Sequence, residues 1–188
     1  MDWDGFAEGH LDVAHEVLTR LRPAIEAVAA GMVERLRQGG KVLLCGNGGS
    51  AADAQHFAAE LVNRFQRERR PYAALALTTD TSVLTSIAND YAFDQIFSKQ
   101  VEALARPNDM LLAISTSGNA ANVCRAVEAA TTAGLWTVAL CGGKGGGVSA
   151  LADEVLCIAG SGVTARIQEG HIMIIHALCE LIEEALAE

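Results

Sequence analysis

Lys41-Val42-Leu43-Leu44-Cys45-Gly46-Asn47-Gly48-Gly49-Ser50 carries the first architectural signal of the chain. Its apolar run is short and does not alternate, so it reads as a strand buried on both faces. The run ends in glycines, and a helical stretch opens at about Ser50. A strand, a glycine loop and a helix in succession form the opening of a parallel α/β unit. Outward from 41–45 the rhythm repeats, with apolar runs at 72–77, 110–114, 135–141 and 154–158. Helical stretches fall at about 50–68, 81–105 and 119–133, and a last helix is expected from 164 to Ala187. The opening forty residues read as two helices; Pro23 suits the first turn of the second, and Gly39-Gly40 ends it. The expected architecture is a three-layer αβα sandwich: a five-stranded parallel sheet, helices on both faces and N-terminal helices. No repeat, low-complexity tract or Pro/Ser-rich linker interrupts it, so residues 1–188 read as one domain.

Composition narrows the function. Apolar types make up 51% and charged types 20%, which describes a packed globular chain. The first segment lacks the basic start and apolar core of a secretory signal. No apolar run approaches the roughly 18 residues of a membrane span. A cytoplasmic protein with no membrane partner is expected. The net charge of −9 argues against nonspecific nucleic-acid binding, because lysine and arginine supply most of that affinity. The short basic cluster at 64–70 reads as a solvated helix end. Five cysteines form no CxxC pair; Cys45, Cys141 and Cys157 sit in strand-like runs and read as buried free thiols.

Ligands of such sheets bind beyond the carboxyl ends of the strands. The first loop, Gly46-Asn47-Gly48-Gly49-Ser50, lets backbone approach a ligand at a helix start. It loosely matches a dinucleotide fingerprint, but the acid expected about 20 residues later is missing, which argues against a nicotinamide cofactor. The third strand runs into Ser115-Thr116-Ser117-Gly118-Asn119, also at a helix start. One hydroxyl suffices for an N-cap, and three suit a phosphate dianion held by neutral donors. For the loop 142–147, flexibility or an unconstrained turn is as good an account as a ligand.

His56 and Glu60 lie four apart, on one face of the helix after the first loop. So placed, they can share a divalent ion or relay protons. The last helix carries Gln168 and His176 in an otherwise apolar setting. Eight residues separate these two, a rise of about 12 Å, so they meet on one ion only if both lean inward. Spacing alone leaves that open.

With these residues in view, the chain resembles sugar isomerase (SIS) domains, and among them the bacterial phosphoheptose isomerases. The resemblance rests on CGNGGSAADAQHFAAELVNRF (45–65), ALTTDTSVLTSIANDYAFDQIFSKQVEAL (76–104), LLAISTSGNAANV (111–123) and TARIQEGHIMIIHALCELIE (164–183). It implies isomerisation of sedoheptulose 7-phosphate to D-glycero-D-manno-heptose 7-phosphate, the first step toward activated heptose for lipopolysaccharide core or related glycans. It further implies one zinc per subunit on His56, Glu60, Gln168 and His176, with Glu60 and His176 as the acid–base pair. Substrate contacts carry over to Asn47, Gly48, Gly49, Ser50, Glu60, Asn89, Asp90, Ser115, Thr116, Ser117 and Gln168. The family plan is a homotetramer packed through the N-terminal helices (1–40). A carboxylate bound to zinc is a weaker base, so the resemblance leaves the metal's role open between chemistry and structure.

One position departs from the pattern. The family often has serine where this chain has Ala120, so one neutral contact to the phosphate is absent. The rival reading is a noncatalytic SIS scaffold that binds the replication initiator DnaA and shares several of these stretches. Its pattern lacks counterparts of Glu60 and His176, and this chain has both. A phosphosugar-sensing regulator would need the loops without the acid–base pair.

Overall fold

The computed structural model describes residues 1–186. Two helices, α1 (Trp3–Leu18) and α2 (Arg22–Arg37), precede β1 (Val42–Gly46) and α3 (Gly49–Val62). There follow β2 (Ala74–Ala76), α4 (Thr81–Asp90), a 3-10 turn (Phe93–Gln95), α5 (Ser98–Leu104), β3 (Met110–Ser115) and α6 (Ala121–Thr132). The chain closes with β4 (Trp136–Gly142), α7 (Val148–Leu151), β5 (Glu154–Ile158) and α8 (Thr164–Leu186). All five strands pair in parallel in the order β2-β1-β3-β4-β5, as the strand–helix rhythm requires.

Alternate residues of the inner strands feed two cores, the period-2 consequence of the pleat. Val42, Leu44, Leu112, Ile114 and Leu140 point toward α1, α2, α3 and α8. Leu43, Cys45, Leu111, Ala113 and Ala139 point the other way, toward α5, α6 and α7. Every residue of β1 and β3 is buried, whereas β2 and β5, at the two edges, are partly exposed. The expectation of burial on both faces therefore fails at the edges, and Cys157 on β5 is only half buried. All five cysteines are free thiols, and burial pushes Cys45 and Cys141 up to about 12.

Three boundaries differ from expectation. The stretch 72–77 pairs only over Ala74–Ala76. The stretch 81–105 is not one helix. The chain extends at Ala92 and turns through Phe93–Gln95, and Ile96 and Phe97 then bury beneath α5. The stretch 50–68 stops being helical at Val62, where Arg69 donates to the carbonyls of Glu60, Leu61 and Asn63. Residue 187, the expected end of the last helix, lies outside the described residues. No helix among the described residues is long and apolar enough to cross a membrane.

Strand order runs outward in opposite directions from β1 and β3, so the topological switch lies between them. A crevice opens there at the carboxyl ends. Those ends continue into 46–50 and 115–119, the two loops picked out above.

Candidate active site

Two loops and two helix starts, those of α3 and α6, form a cradle at the switch point. Asn47, Ser50, Ser115, Thr116, Ser117 and Ala120 line a cavity of about 170 Å³. Ser117 accepts from the Asn119 N–H at 3.2 Å, while among the described residues no protein partner takes the hydroxyls of Ser115 or Thr116. Ala120 is the N-cap of α6 and contributes no side-chain bond, so that helix start keeps free N–H groups. Unspent hydroxyls beside an uncapped helix start suit an anion better than a simple cap. Thr116 and Ser117 also border a neighbouring cavity of about 330 Å³, lined by Lys144, Ser161 and Thr164.

The cradle is held by backbone and amide contacts. Asn47 and Asn122 exchange two amide hydrogen bonds, at 2.8 and 2.9 Å, which fix the first loop to α6. The loop 142–147 is not an unconstrained turn. Val148 donates to the Gly118 carbonyl at 2.9 Å, and Gly147 donates to Asn119 Oδ1 at 3.0 Å. Gly118, at φ +67°, packs so tightly that a Cβ there would stand 1.9 Å from the Gly145 carbonyl oxygen.

From this cradle α3 and α8 run side by side, in the same direction, as three successive contacts show. At the first, Gln168 lies against Gly49, where a Cβ would meet its Nε2 at 2.2 Å. At the second, His56 Nε2 stands 2.9 Å from His176 Nε2 and 3.5 Å from Glu60 Oε1. The Phe65 ring covers His176 from the other side, with centroids 5.3 Å apart. At the third, Glu183 reaches the chain just beyond α3. Asp53, one turn before His56, is buried with one carboxylate oxygen unpartnered, and burial pushes it up to about 6.

The structure thus brings together His56, Glu60 and His176, and separately Asn47, Ser50, Ser115, Thr116 and Ser117. Gly48 and Gly49 begin α3 between the two groups. Asn89 and Asp90 stand apart, exposed on α4, with the Asn89 amide donating to Asp90 at 2.8 Å. The fully buried histidine of α8 is His171, whose Nε2 lies 3.1 Å from the Cys141 carbonyl oxygen, and burial lowers it to about 4. His176 is only partly buried. Asn122, Arg69 and Glu183 escaped the sequence reading, since each acts on a partner distant in sequence. For Asn122 and Glu183 the only signal was a polar residue on an otherwise buried helix face; Arg69 lies in the chain beyond α3 and gave none.

The donors suit zinc in kind: two imidazoles, a carboxylate and an amide. His176 Nε2 and Glu60 Oε1 both lie within 3.5 Å of His56 Nε2. As they stand, no group of three or more His, Cys, Asp or Glu among the described residues is arranged to hold an ion.

Comparison with known proteins identifies the family. A profile of the SIS domain matches residues 5–142. A phosphoheptose isomerase of Thiobacillus denitrificans is 55% identical over 183 residues, covering 96% of this chain and 90% of that relative. The solved phosphoheptose isomerase of Neisseria gonorrhoeae is 48% identical with a TM-score of 0.87, covering 96% of both chains. That of Francisella tularensis is 42% identical with a TM-score of 0.92, again covering 96% of both. The chain belongs to the SIS domain family and, within it, to the phosphoheptose isomerases.

Proposed function

We propose that the chain converts sedoheptulose 7-phosphate to D-glycero-D-manno-heptose 7-phosphate through an enediol. One observation carries the chemistry: His56, Glu60 and His176 meet where α3, which starts at a cradle of unspent hydroxyls, runs beside α8, which starts at the adjoining cavity. In this reading the Ser115, Thr116 and Ser117 hydroxyls and the α6 N–H groups bind the phosphate, while Asn47 and Gln168 orient the sugar chain. Glu60 and His176 act as base and acid. One removes the proton alpha to the carbonyl and returns it to the neighbouring carbon, and the other moves the proton between the two oxygens. Imidazole suits that work near neutral pH. His56, Glu60, Gln168 and His176 would hold zinc, which as a Lewis acid would stabilise the negative charge of the enediolate.

The same reading takes residues 1–188 as one SIS domain. It places the reaction in the cytoplasm, first in the supply of activated heptose for lipopolysaccharide core or a related glycan. Exposed Trp3, Phe6, Leu11 and Leu18 along α1 support burial of the N-terminal helices in a homotetramer.

Turnover of sedoheptulose 7-phosphate by the wild type and by Glu60→Gln and His176→Gln, with and without a chelator, tests the proposal. Turnover lost in both variants supports it. A folded, zinc-supplied wild type without turnover would sink the reaction. Activity indifferent to chelation would remove the metal alone.

A further inference from the structure

Two turns beyond His176 on α8, Glu183 is a carboxylate with an unusual set of partners. Its Oε1 accepts from the Phe65 N–H at 2.7 Å and from Arg69 Nε at 3.0 Å. Its Oε2 accepts from the Gln66 and Arg67 N–H groups at 2.9 and 3.0 Å. These bonds outweigh the effect of burial and hold the carboxyl below its usual range. The side chains of Arg69 and Glu183 are only 6% and 2% exposed.

Besides a bond from Nη1 to the Arg70 carbonyl at 3.0 Å, Arg69 spends its remaining donors on the end of α3. Nη2 donates to the Glu60 carbonyl at 2.7 Å, and Nη1 donates to the Leu61 carbonyl at 2.9 Å and the Asn63 carbonyl at 3.2 Å. A helix ends with carbonyls that have no helical partner, and a cation there also complements the helix dipole. The guanidinium is itself seated 4.2 Å over the Tyr72 ring. The pair therefore bonds the backbone of Glu60 on one side. On the other it bonds the loop whose Phe65 ring lies against His176.

A buried ion pair is seldom needed for stability, since apolar residues of similar volume often serve as well. Its partners indicate what else it does. We infer that Arg69 and Glu183 form a positioning pair that fixes Glu60 and His176 in register across the α3–α8 seam. The inference rests on the isomerase reading. It assigns neither residue a contact with substrate.

The test replaces both charges at once, with Arg69→Met/Glu183→Leu, and separately uses Glu183→Gln and Arg69→Lys. Folding is checked by circular dichroism and thermal melting. In the folded double variant kcat should fall about tenfold or more, since small misplacements of reacting groups are costly, with KM within about twofold because the cradle lies at the other end of the helices. A folded double variant with near-wild-type kcat overturns the inference. If the double variant does not fold, Glu183→Gln, which keeps an acceptor oxygen, is read below its melting temperature by the same criterion. The imidazole resonances of the same proteins give a readout independent of turnover. Those of His56 and His176 should shift, while that of His171 should not. Unshifted resonances overturn the inference even if the wild type turns out to have no isomerase activity.

Discussion

At the cradle, the groups facing the cavity are hydroxyls, amides, backbone N–H groups and glycines. Two turns along the same helices, at the seam, they are imidazoles and carboxylates backed by a guanidinium. The cradle takes its shape from backbone packed against backbone, so adding an atom harms it more than removing one. The seam takes its shape from a few polar side chains with distant partners, so removing a single atom there is the damaging change. A ligand whose charge is constant can be met by fixed dipoles. A proton in transit needs groups that themselves change charge.

The largest effect tests the seam. Glu60→Gln or His176→Gln should lower kcat by roughly 10²–10⁴, about 3–5 kcal/mol, in steady-state assays. A loss below tenfold in either would place the acid–base work elsewhere. Next comes the cradle: Gly118→Val adds atoms at a positive φ beside the Gly145 carbonyl and should cost about 3 kcal/mol in urea unfolding. A neutral result would mean that the loop 142–147 yields easily and that the contrast is false.

The third prediction separates His171 from the seam histidines. Its folded value of about 4 lies below the ordinary 6.5, so between those values the unfolded chain binds the extra proton. The stabilisation is complete above pH 6.5 and is lost on acidification. Asp53 has the opposite sign: its folded value of about 6 lies above the ordinary carboxylate range, so its penalty grows as pH rises through that window. Comparison of wild type with His171→Gln cancels the Asp53 contribution. Their difference in unfolding free energy should change by about 2 kcal/mol between pH 7.5 and 5, and a constant difference would refute it. The smallest effect is Ala120→Ser, which restores a neutral hydroxyl to the cradle and should lower KM by about 0.5–1.5 kcal/mol in binding. An unchanged KM would show that the α6 N–H groups already satisfy the phosphate.

What could be read in the sequence follows the same division. The sheet was legible because β1 and β3 are buried on both faces and carry uninterrupted apolar runs. The cradle was legible because its loops follow those strands directly. The His56/Glu60 pair showed in its four-residue spacing. The end of α3 did not show. Residues 64–70 look like a continuing helix with a solvated basic end, and Arg64 and Glu68 do lie in solvent. Arg69 instead turns inward, toward a carboxylate 114 residues away that no local pattern reveals. Spacing on α8 left the meeting of Gln168 and His176 open; in the fold they sit at different contacts along the seam, each opposite its own partner on α3.

That ladder of contacts, Gly49 with Gln168, His56 with His176 and the chain beyond α3 with Glu183, makes the seam behave as a vernier. Sliding one helix by a turn, about 5.4 Å, would unmatch all three together, with no intermediate setting that keeps two. Packed elements of this kind move between discrete arrangements and do not deform smoothly. The amides of α3 and α8 should therefore exchange with solvent as one cooperative unit, while those of the edge strand β2 open independently and sooner.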